Sequence, residues 1–167
     1  MFCKLLAVVA AVVMAGVGAS PAAGAAPSSR WTSLYNYGTG KCLDVNPATW
    51  QGNGAVRAWD CNFTAQQTWF GTWDFGSATQ IQSDAPVSTR KCLTAVPANW
   101  IPSGWIVETR DCGNGDYHQL WYAQSDTQFY NFWTGTCLEL DFGAVNGTQA
   151  ALSPCGNPST DNMRWGV

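Results

Sequence analysis

The sequence predicts an all-β domain made of three four-stranded repeats about a pseudo-threefold axis. Two observations carry that expectation. First, residues 40–69, GKCLDVNPATWQGNGAVRAWDCNFTAQQTW, return twice in weaker copies. One runs from Lys91-Cys92-Leu93-Thr94 through Arg110-Asp111-Cys112 to Gln119-Leu120-Trp121, the other from Gly135-Thr136-Cys137-Leu138-Glu139 through Cys155 to Arg164-Trp165. The two cysteines of each copy lie 19, 20 and 18 positions apart, and successive first cysteines 50 and 45 apart. A period of that length marks a stacked or closed repeat architecture. Second, no window after the N-terminal segment sustains a 3.6-residue apolar period, whereas short alternating, β-branched and aromatic runs recur between Gly, Asn, Asp and Pro.

The elements follow in order. Residues 1–26 read as a secretory signal peptide: Lys4 is the only charge before Arg30, Leu5 to Val17 is apolar, and Gly18 to Pro27 offers small residues such as Ala23-Gly24-Ala25 for cleavage. The apolar run is short for a membrane span. The three repeats occupy about 31–76, 77–125 and 126–167 as one domain. In the first repeat the strands expected are Thr32 to Tyr37, Lys41 to Val45, Ala55 to Asp60 and Gln67 to Thr72. In the second they are Thr79 to Ser83, Lys91 to Val96, Trp105 to Arg110 and Gln119 to Gln124. The third offers Gln128 to Trp133, Thr136 to Asp141, Thr148 to Ser153 and Met163 to Val167. Turn residues separate them at Gly38-Thr39-Gly40, Asn53-Gly54, Gly113-Asn114-Gly115, Asn146-Gly147 and Gly156-Asn157-Pro158. A single repeat has no partner for its apolar face. Three copies can pool Leu43, Leu93, Leu138, Trp69, Trp121 and Trp165 into one core, and the last strand can close the barrel beside the first repeat.

Cysteine usage bounds the compartment and the covalent frame. Cys3 falls in the removed segment, so seven cysteines become six, which permit 15 pairings. If each repeat is a folding unit, the pairs are Cys42–Cys61, Cys92–Cys112 and Cys137–Cys155. Secretion lets such bonds persist, and each closes a loop worth about 3 kcal/mol in the chain-entropy model. No metal or cofactor is expected, since Cys-x-x-Cys is missing and His118 is the sole histidine. After signal removal seven Lys and Arg face eleven Asp and Glu, and the basic residues are scattered, which argues against nucleic acid. Catalytic constellations are equally lacking: there is no Gly-x-Ser-x-Gly, no His-Glu-x-x-His, and the acids are dispersed singly.

Cys42-Leu43-Asp44-Val45, Asn53-Gly54, Trp59-Asp60-Cys61-Asn62 and Gln67-Thr68-Trp69, with Gln119-Leu120-Trp121 in the second repeat, resemble the ricin B-type lectin family. Those are β-trefoil proteins whose repeats end in Gln-x-Trp. The likeness covers residues 31–167, although the third repeat reads Met163-Arg164-Trp165. The resemblance implies one shallow sugar site per repeat. Its parts are a carboxylate two residues after the first Cys, an aromatic two before the second, and an amide just before Gln-x-Trp. A carboxylate accepts vicinal hydroxyls in pairs, and an indole packs on the C–H face of a pyranose.

Carried over, the first repeat supplies Asp44, Trp59 and Gln66, with Asn62 as a further polar contact. The second has Thr94 and Arg110 in place of the carboxylate and aromatic, keeps only His118, and reads as silent. The third keeps Glu139 and Asn162 as a weak second site, but Ser153 at the aromatic position cannot stack. Trp50 and Trp100, in matching loops, read as plugs packed on their own repeats, with Trp50 alternatively a second wall of the first site. Asn62-Phe63-Thr64 and Asn146-Gly147-Thr148 are glycosylation sequons. The expectation is therefore a secreted, non-catalytic lectin-like module whose partner is a glycan or polysaccharide, without membrane insertion. The alternative is a β-trefoil that binds a protein, such as a protease inhibitor or toxin-like effector. Peptide mapping of the unreduced protein should yield three bonds confined to their own repeats; one bond between repeats would defeat the assignment.

Overall fold

A computed structural model describes residues 29–49, 53–85, 89–125, 127–156 and 161–167. The signal segment, Trp50 and the end of the Gly156-Asn157-Pro158 turn lie outside the described residues. The first repeat contains β1 (Ser29–Thr32), β2 (Tyr35–Asn36), β3 (Cys42–Val45), β4 (Gly54–Trp59) and β5 (Trp69–Thr72). The second contains β6 (Ala78–Gln80), β7 (Gln82–Ser83), β8 (Lys91–Pro97), β9 (Trp105–Asp111) and β10 (Leu120–Ala123). The third contains β11 (Phe129–Asn131), β12 (Thr136–Glu139), β13 (Ala151–Pro154) and β14 (Trp165–Gly166).

Three antiparallel hairpins, β3–β4, β8–β9 and β12–β13, meet about the axis through their second strands. There β4 pairs with β9 and β9 with β13, while Ala58 N donates to Thr148 O (2.8 Å) and Ala150 N to Val56 O (2.9 Å). One side chain, Gln149, ties all three repeats: its Nε2 donates to Val56 O at 2.7 Å, Val107 O at 2.8 Å and Ala150 O at 3.1 Å. Away from the axis, the last strand of each repeat pairs with one of the opening strands of the next. These contacts are β5–β7, β10–β11 and, joining end to beginning, β14–β2. The threefold arrangement expected from the repeats is the one observed.

The strand boundaries differ in two ways with a clear cause. Thr32 to Tyr37 and Thr79 to Ser83 are each split, at Ser33–Leu34 and at Ile81. Each segment serves two pairings, β1 with β5 but β2 with β14 and β3, and β6 with β10 but β7 with β5 and β8. It must bend where it changes partner. Leu34 and Ile81 are fully buried at the bend, and their carbonyls accept from Leu43 N (2.9 Å) and Leu93 N (2.8 Å), so no backbone polarity is lost. Second, Gln67, Gln119 and Met163 lie in single 3₁₀ turns, Ala65–Gln67, Tyr117–Gln119 and Asp161–Met163, rather than in the strands that follow.

The six expected core residues are buried and belong to one cluster with Val56, Val107 and Leu152. Each terminal indole is bonded identically: Trp69 Nε1 donates to Leu43 O (3.0 Å), Trp121 Nε1 to Leu93 O (2.9 Å) and Trp165 Nε1 to Leu138 O (3.0 Å). Disulfides join Cys42 to Cys61, Cys92 to Cys112 and Cys137 to Cys155. Substituting any of the three tryptophans by Phe leaves a buried carbonyl without its donor and a small void, a loss of about 2–4 kcal/mol. Urea unfolding of Trp69→Phe, Trp121→Phe and Trp165→Phe should show three comparable losses; a repeat that tolerates the change would show that its indole bond carries no stability.

Candidate functional site

Hairpin register decides what meets the first-repeat carboxylate. Cys42 stands opposite Trp59, so Asp44, two residues on, stands opposite Arg57. Asp44 is buried to 3% exposure. Its Oδ1 accepts from Arg57 Nε at 2.8 Å and its Oδ2 from Gln67 Nε2 at 3.3 Å. The Arg57 guanidinium lies over the Trp59 ring, 4.0 Å from its centroid. Burial raises the Asp44 carboxyl above the ordinary aspartate range, while the bonds from Arg57 and Gln67 draw it back.

Gln67 organises the surrounding loop. Its Oε1 accepts from Asn62 N (2.8 Å) and Phe63 N (3.2 Å), and its Nε2 also donates to Asp60 O (2.9 Å). These bonds hold Phe63 at φ 56 and leave its ring 75% exposed. Asn62 is exposed, and its Oδ1 accepts from the Thr64 backbone N (3.2 Å) and hydroxyl (2.8 Å), folding its own loop. Gln66 is half-buried on the 3₁₀ turn. The structure thus gathers Asp44, Trp59 and the Asn62 loop, but both Asp44 oxygens are engaged within the protein. Arg57 was missed from the sequence: facing Cys42 with Cys61 would put Trp59 opposite Asp44, whereas the observed register pairs Cys42 with Trp59 and so Asp44 with Arg57.

In the second repeat Thr94 donates to Cys92 O (2.8 Å) and accepts from Gln119 Nε2 (3.2 Å). Arg110 pairs with Glu108 at 3.2 Å. His118 Nδ1 lies 3.1 Å from Asp116 Oδ1, and its ring sits between Trp105 (6.2 Å) and Trp133 (5.0 Å).

In the third repeat Glu139 is half-buried and has no cationic partner among the described residues. Ser153 Oγ donates to its Oε1, and Asn162 Nδ2 reaches its Oε2 at 3.4 Å. Asn162 is 5% exposed and its Oδ1 has no hydrogen-bond partner among the described residues. Glu139 and Ser153 line a cleft of about 400 Å³. Trp100, expected to plug its own repeat, is instead 70% exposed and lines the same cleft. The bend Ala98–Gly104 closes through its own backbone bonds, and the half-buried Ile101, rather than the indole, packs on Val96, Ala98 and Ile106. Among the described residues no three His, Cys, Asp or Glu side chains converge, and no helix is long and apolar enough to cross a membrane.

The family model described as the ricin-type beta-trefoil lectin domain matches residues 30–165. The chain belongs to that family. Its fold is shared with a designed threefold-symmetric protein, ThreeFoil, at 18% identity and TM-score 0.66, covering 81% of this chain and 95% of that one. It is also similar to the agglutinin from Abrus precatorius at 18% identity and TM-score 0.64, covering 87% of this chain but 51% of the agglutinin, about half its length. A third likeness, at 19% identity and TM-score 0.58, is to the Vibrio vulnificus hemolysin/cytolysin β-trefoil lectin with N-acetyl-D-lactosamine bound, covering 83% of this chain and 93% of that one. No curated protein sequence matches the chain.

Burial holds the Glu139 carboxyl above the ordinary glutamate range; the Ser153 bond opposes this, and nearby Asp141 adds to it. The folded chain therefore keeps this proton to higher pH than the unfolded one. The group's contribution to stability is greatest in acid and is lost as pH rises from the ordinary glutamate value through the raised one. Glu139→Gln should remove that slope, so its Tm relative to wild type should rise between about pH 4 and neutrality. A Tm difference constant over this range would contradict the assignment.

Proposed function

We propose that this chain is a secreted carbohydrate-binding module without catalytic activity of its own. The observation that carries the reading is the pair of carboxylates, buried Asp44 and half-buried Glu139, at the equivalent hairpin position of two repeats. Burial raises both, against the bonds from Arg57, Gln67 and Ser153, and carboxylates perturbed in this way concentrate at functional sites. Family membership supports it, as does the sugar bound to the Vibrio vulnificus lectin of the same fold. Three disulfides suit an extracellular protein.

We place the main contact in the first repeat, at Asp44, Trp59, Asn62 and Gln66, with Arg57 added. Asp44 acts through Arg57: it fixes the guanidinium against Trp59, and the terminal amino groups of Arg57 make no hydrogen bond to a described residue. They can donate to sugar hydroxyls while the rim of the indole packs on the ring. Two or three charge-assisted bonds of about 1.5–3 kcal/mol and one stacking contact near 1 kcal/mol, set against an association cost of at least about 4 kcal/mol, give a roughly millimolar site. Longer oligosaccharides or multivalent display would raise the avidity.

A protein partner is the second reading, and one observation favours it. Tyr117, Phe132 and Trp133 are each about half exposed, and Tyr117 and Phe132 stack at 5.0 Å where the second repeat meets the third. Exposed apolar clusters of this kind mark contact surfaces.

A glycan array followed by calorimetry separates the readings. Trp59→Ala should abolish first-repeat binding with the fold intact. Asp44→Ala should abolish it and also destabilise by about 3 kcal/mol, because Arg57 loses its partner in a largely buried pair. If both variants bind every glycan like wild type, the first-repeat placement is wrong; if wild type binds none and captures protein through Tyr117 and Trp133, the second reading replaces the first.

A further inference from the structure

Three asparagines precede a glycine, at Asn53-Gly54, Asn114-Gly115 and Asn146-Gly147, and the fold treats them differently. In such a pair the glycine nitrogen can attack the asparagine side-chain carbonyl, because glycine has no β-carbon to shield it. Two freedoms are needed: the side-chain amide must swing onto the following nitrogen, and that peptide must rotate. Bonds that fix either group confine the reaction to moments of local opening.

Asn146 has neither freedom. Its Nδ2 donates to Asp60 Oδ2 at 2.8 Å, its Oδ1 accepts from Asp60 N at 2.9 Å, and Gly147 N donates to Ala58 O at 2.9 Å. Side chain and nucleophile are both spent in docking the third-repeat hairpin loop on the first repeat. Asn53 is exposed, but Gly54 is buried as the first residue of β4. It stands opposite Thr109, whose Oγ1 donates to Gly54 O at 3.3 Å, so the sheet holds its peptide.

Asn114 lies between the second cysteine of the second repeat and the 3₁₀ turn at Tyr117. Its side chain is exposed and makes no hydrogen bond to a described residue, and Gly115 N makes none either. Gly115 is exposed at φ 74, with open space where a side chain would stand. The anchors of the loop fall on either side: Gly113 N donates to Gln119 Oε1 at 2.9 Å, and His118 N to Asp116 Oδ1 at 3.0 Å. The dipeptide between them is unbraced. In the first repeat the corresponding loop carries Asn62-Phe63, where Thr64 occupies Asn62 Oδ1 and Gln67 holds Phe63 N.

We propose that Asn114 is a site of self-catalysed deamidation. Gly115 N forms a bond to Asn114 Cγ, the Cγ–Nδ2 bond breaks, and the side-chain nitrogen leaves as ammonia with the Gly115 proton, which closes a succinimide. Water then opens the ring at either carbonyl to give aspartate or isoaspartate, with no oxidant or cofactor. The product adds a carboxylate to the loop that already carries Asp116, at a hollow of about 140 Å³ lined also by Gln80, Tyr117 and Leu120. The exposed Tyr117 and Phe132 rings stack beside it. The chain then exists in two forms that differ by one charge at this surface, whichever ligand it binds.

The test incubates the folded, disulfide-bonded chain at mildly alkaline pH. Each asparagine is followed by peptide mass spectrometry with fragment-ion assignment, and isoaspartate by methyl transfer from S-adenosylmethionine with an isoaspartyl methyltransferase. Asn114 should lose its amide about tenfold or more faster than Asn146 and Asn53, which react only through local opening, and should carry the isoaspartate label. In urea with the disulfides reduced, the three rates should converge. Equal loss at Asn114 and Asn146 in the folded chain overturns the assignment, as does faster loss at Asn53. An advantage of Asn114 that persists unchanged in urea shows that the fold does not select it. Amide loss at Asn114 without the isoaspartate label overturns the succinimide route. Asn114→Gln, whose amide stands one methylene further from Gly115 N, should abolish the label; a label that survives the substitution places the chemistry elsewhere.

Discussion

The interaction on which the rest of the molecule depends is the hydrogen bond from a buried indole to a leucine carbonyl, made three times. Trp69, Trp121 and Trp165 each stand at or next to the start of the last strand of a repeat, and each donates to the leucine just after the first cysteine of that repeat. The bond therefore runs from the periphery of a repeat to its hairpin near the axis. It explains why tryptophan stands at this position in all three repeats: Phe would fill less space and donate nothing. A disulfide starting one residue before that leucine fixes the same strand covalently. The indole, the leucine and the cysteine pair together set the hairpin register, and register decides which side chain faces Asp44.

Much of the fold was legible because a repeated sequence reports on itself. Equal cysteine spacing, repeated leucines and terminal tryptophans are constraints that three copies satisfy at once, so the core and the cysteine pairing could be read without a structure. The bends at Leu34 and Ile81 were not legible. Apolar alternation is continuous through them, and only the change of pairing partner forces the turn. The role of Gln149 was hidden for a similar reason. A glutamine in a strand-like run looks solvent-facing, yet this one donates into three repeats at the axis.

The candidate site was legible in its residue types and less so in their partners. Asp44 and the Asn62 loop come together around Gln67, and Trp59 lies under Arg57, but a residue type does not say which lone pairs are already in use. Asp44 is answered by Arg57 across the hairpin, a pairing that a single-strand motif cannot express. Trp100 failed in the opposite direction. Its loop matches one in the first repeat, which suggested a packing role, whereas Ile101 takes that role on Val96, Ala98 and Ile106 and Trp100 stays exposed.

The difference between the first and third repeats follows from one lost brace. Gln67 bonds the carboxylate at its own hairpin and the loop after the second cysteine, and Gln119 makes the same loop contacts, to Gly113 N at 2.9 Å and Asp111 O at 2.9 Å. The third repeat has Met163 there, which can do neither. Its carboxylate is longer by one methylene and turns to Ser153 on the facing strand, with Asn162 as a weaker substitute at 3.4 Å. No arginine stands opposite: the hairpin partner of Glu139 is Ala151, where the first repeat has Arg57. Replacing an internal donor by a methyl group removes both the counter-charge and the bulk that close the first-repeat carboxylate. A cleft opens at that point, and its apolar side is supplied by the adjacent second-repeat bend. Loss of symmetry in a threefold scaffold thus opens a cleft where the first repeat is closed.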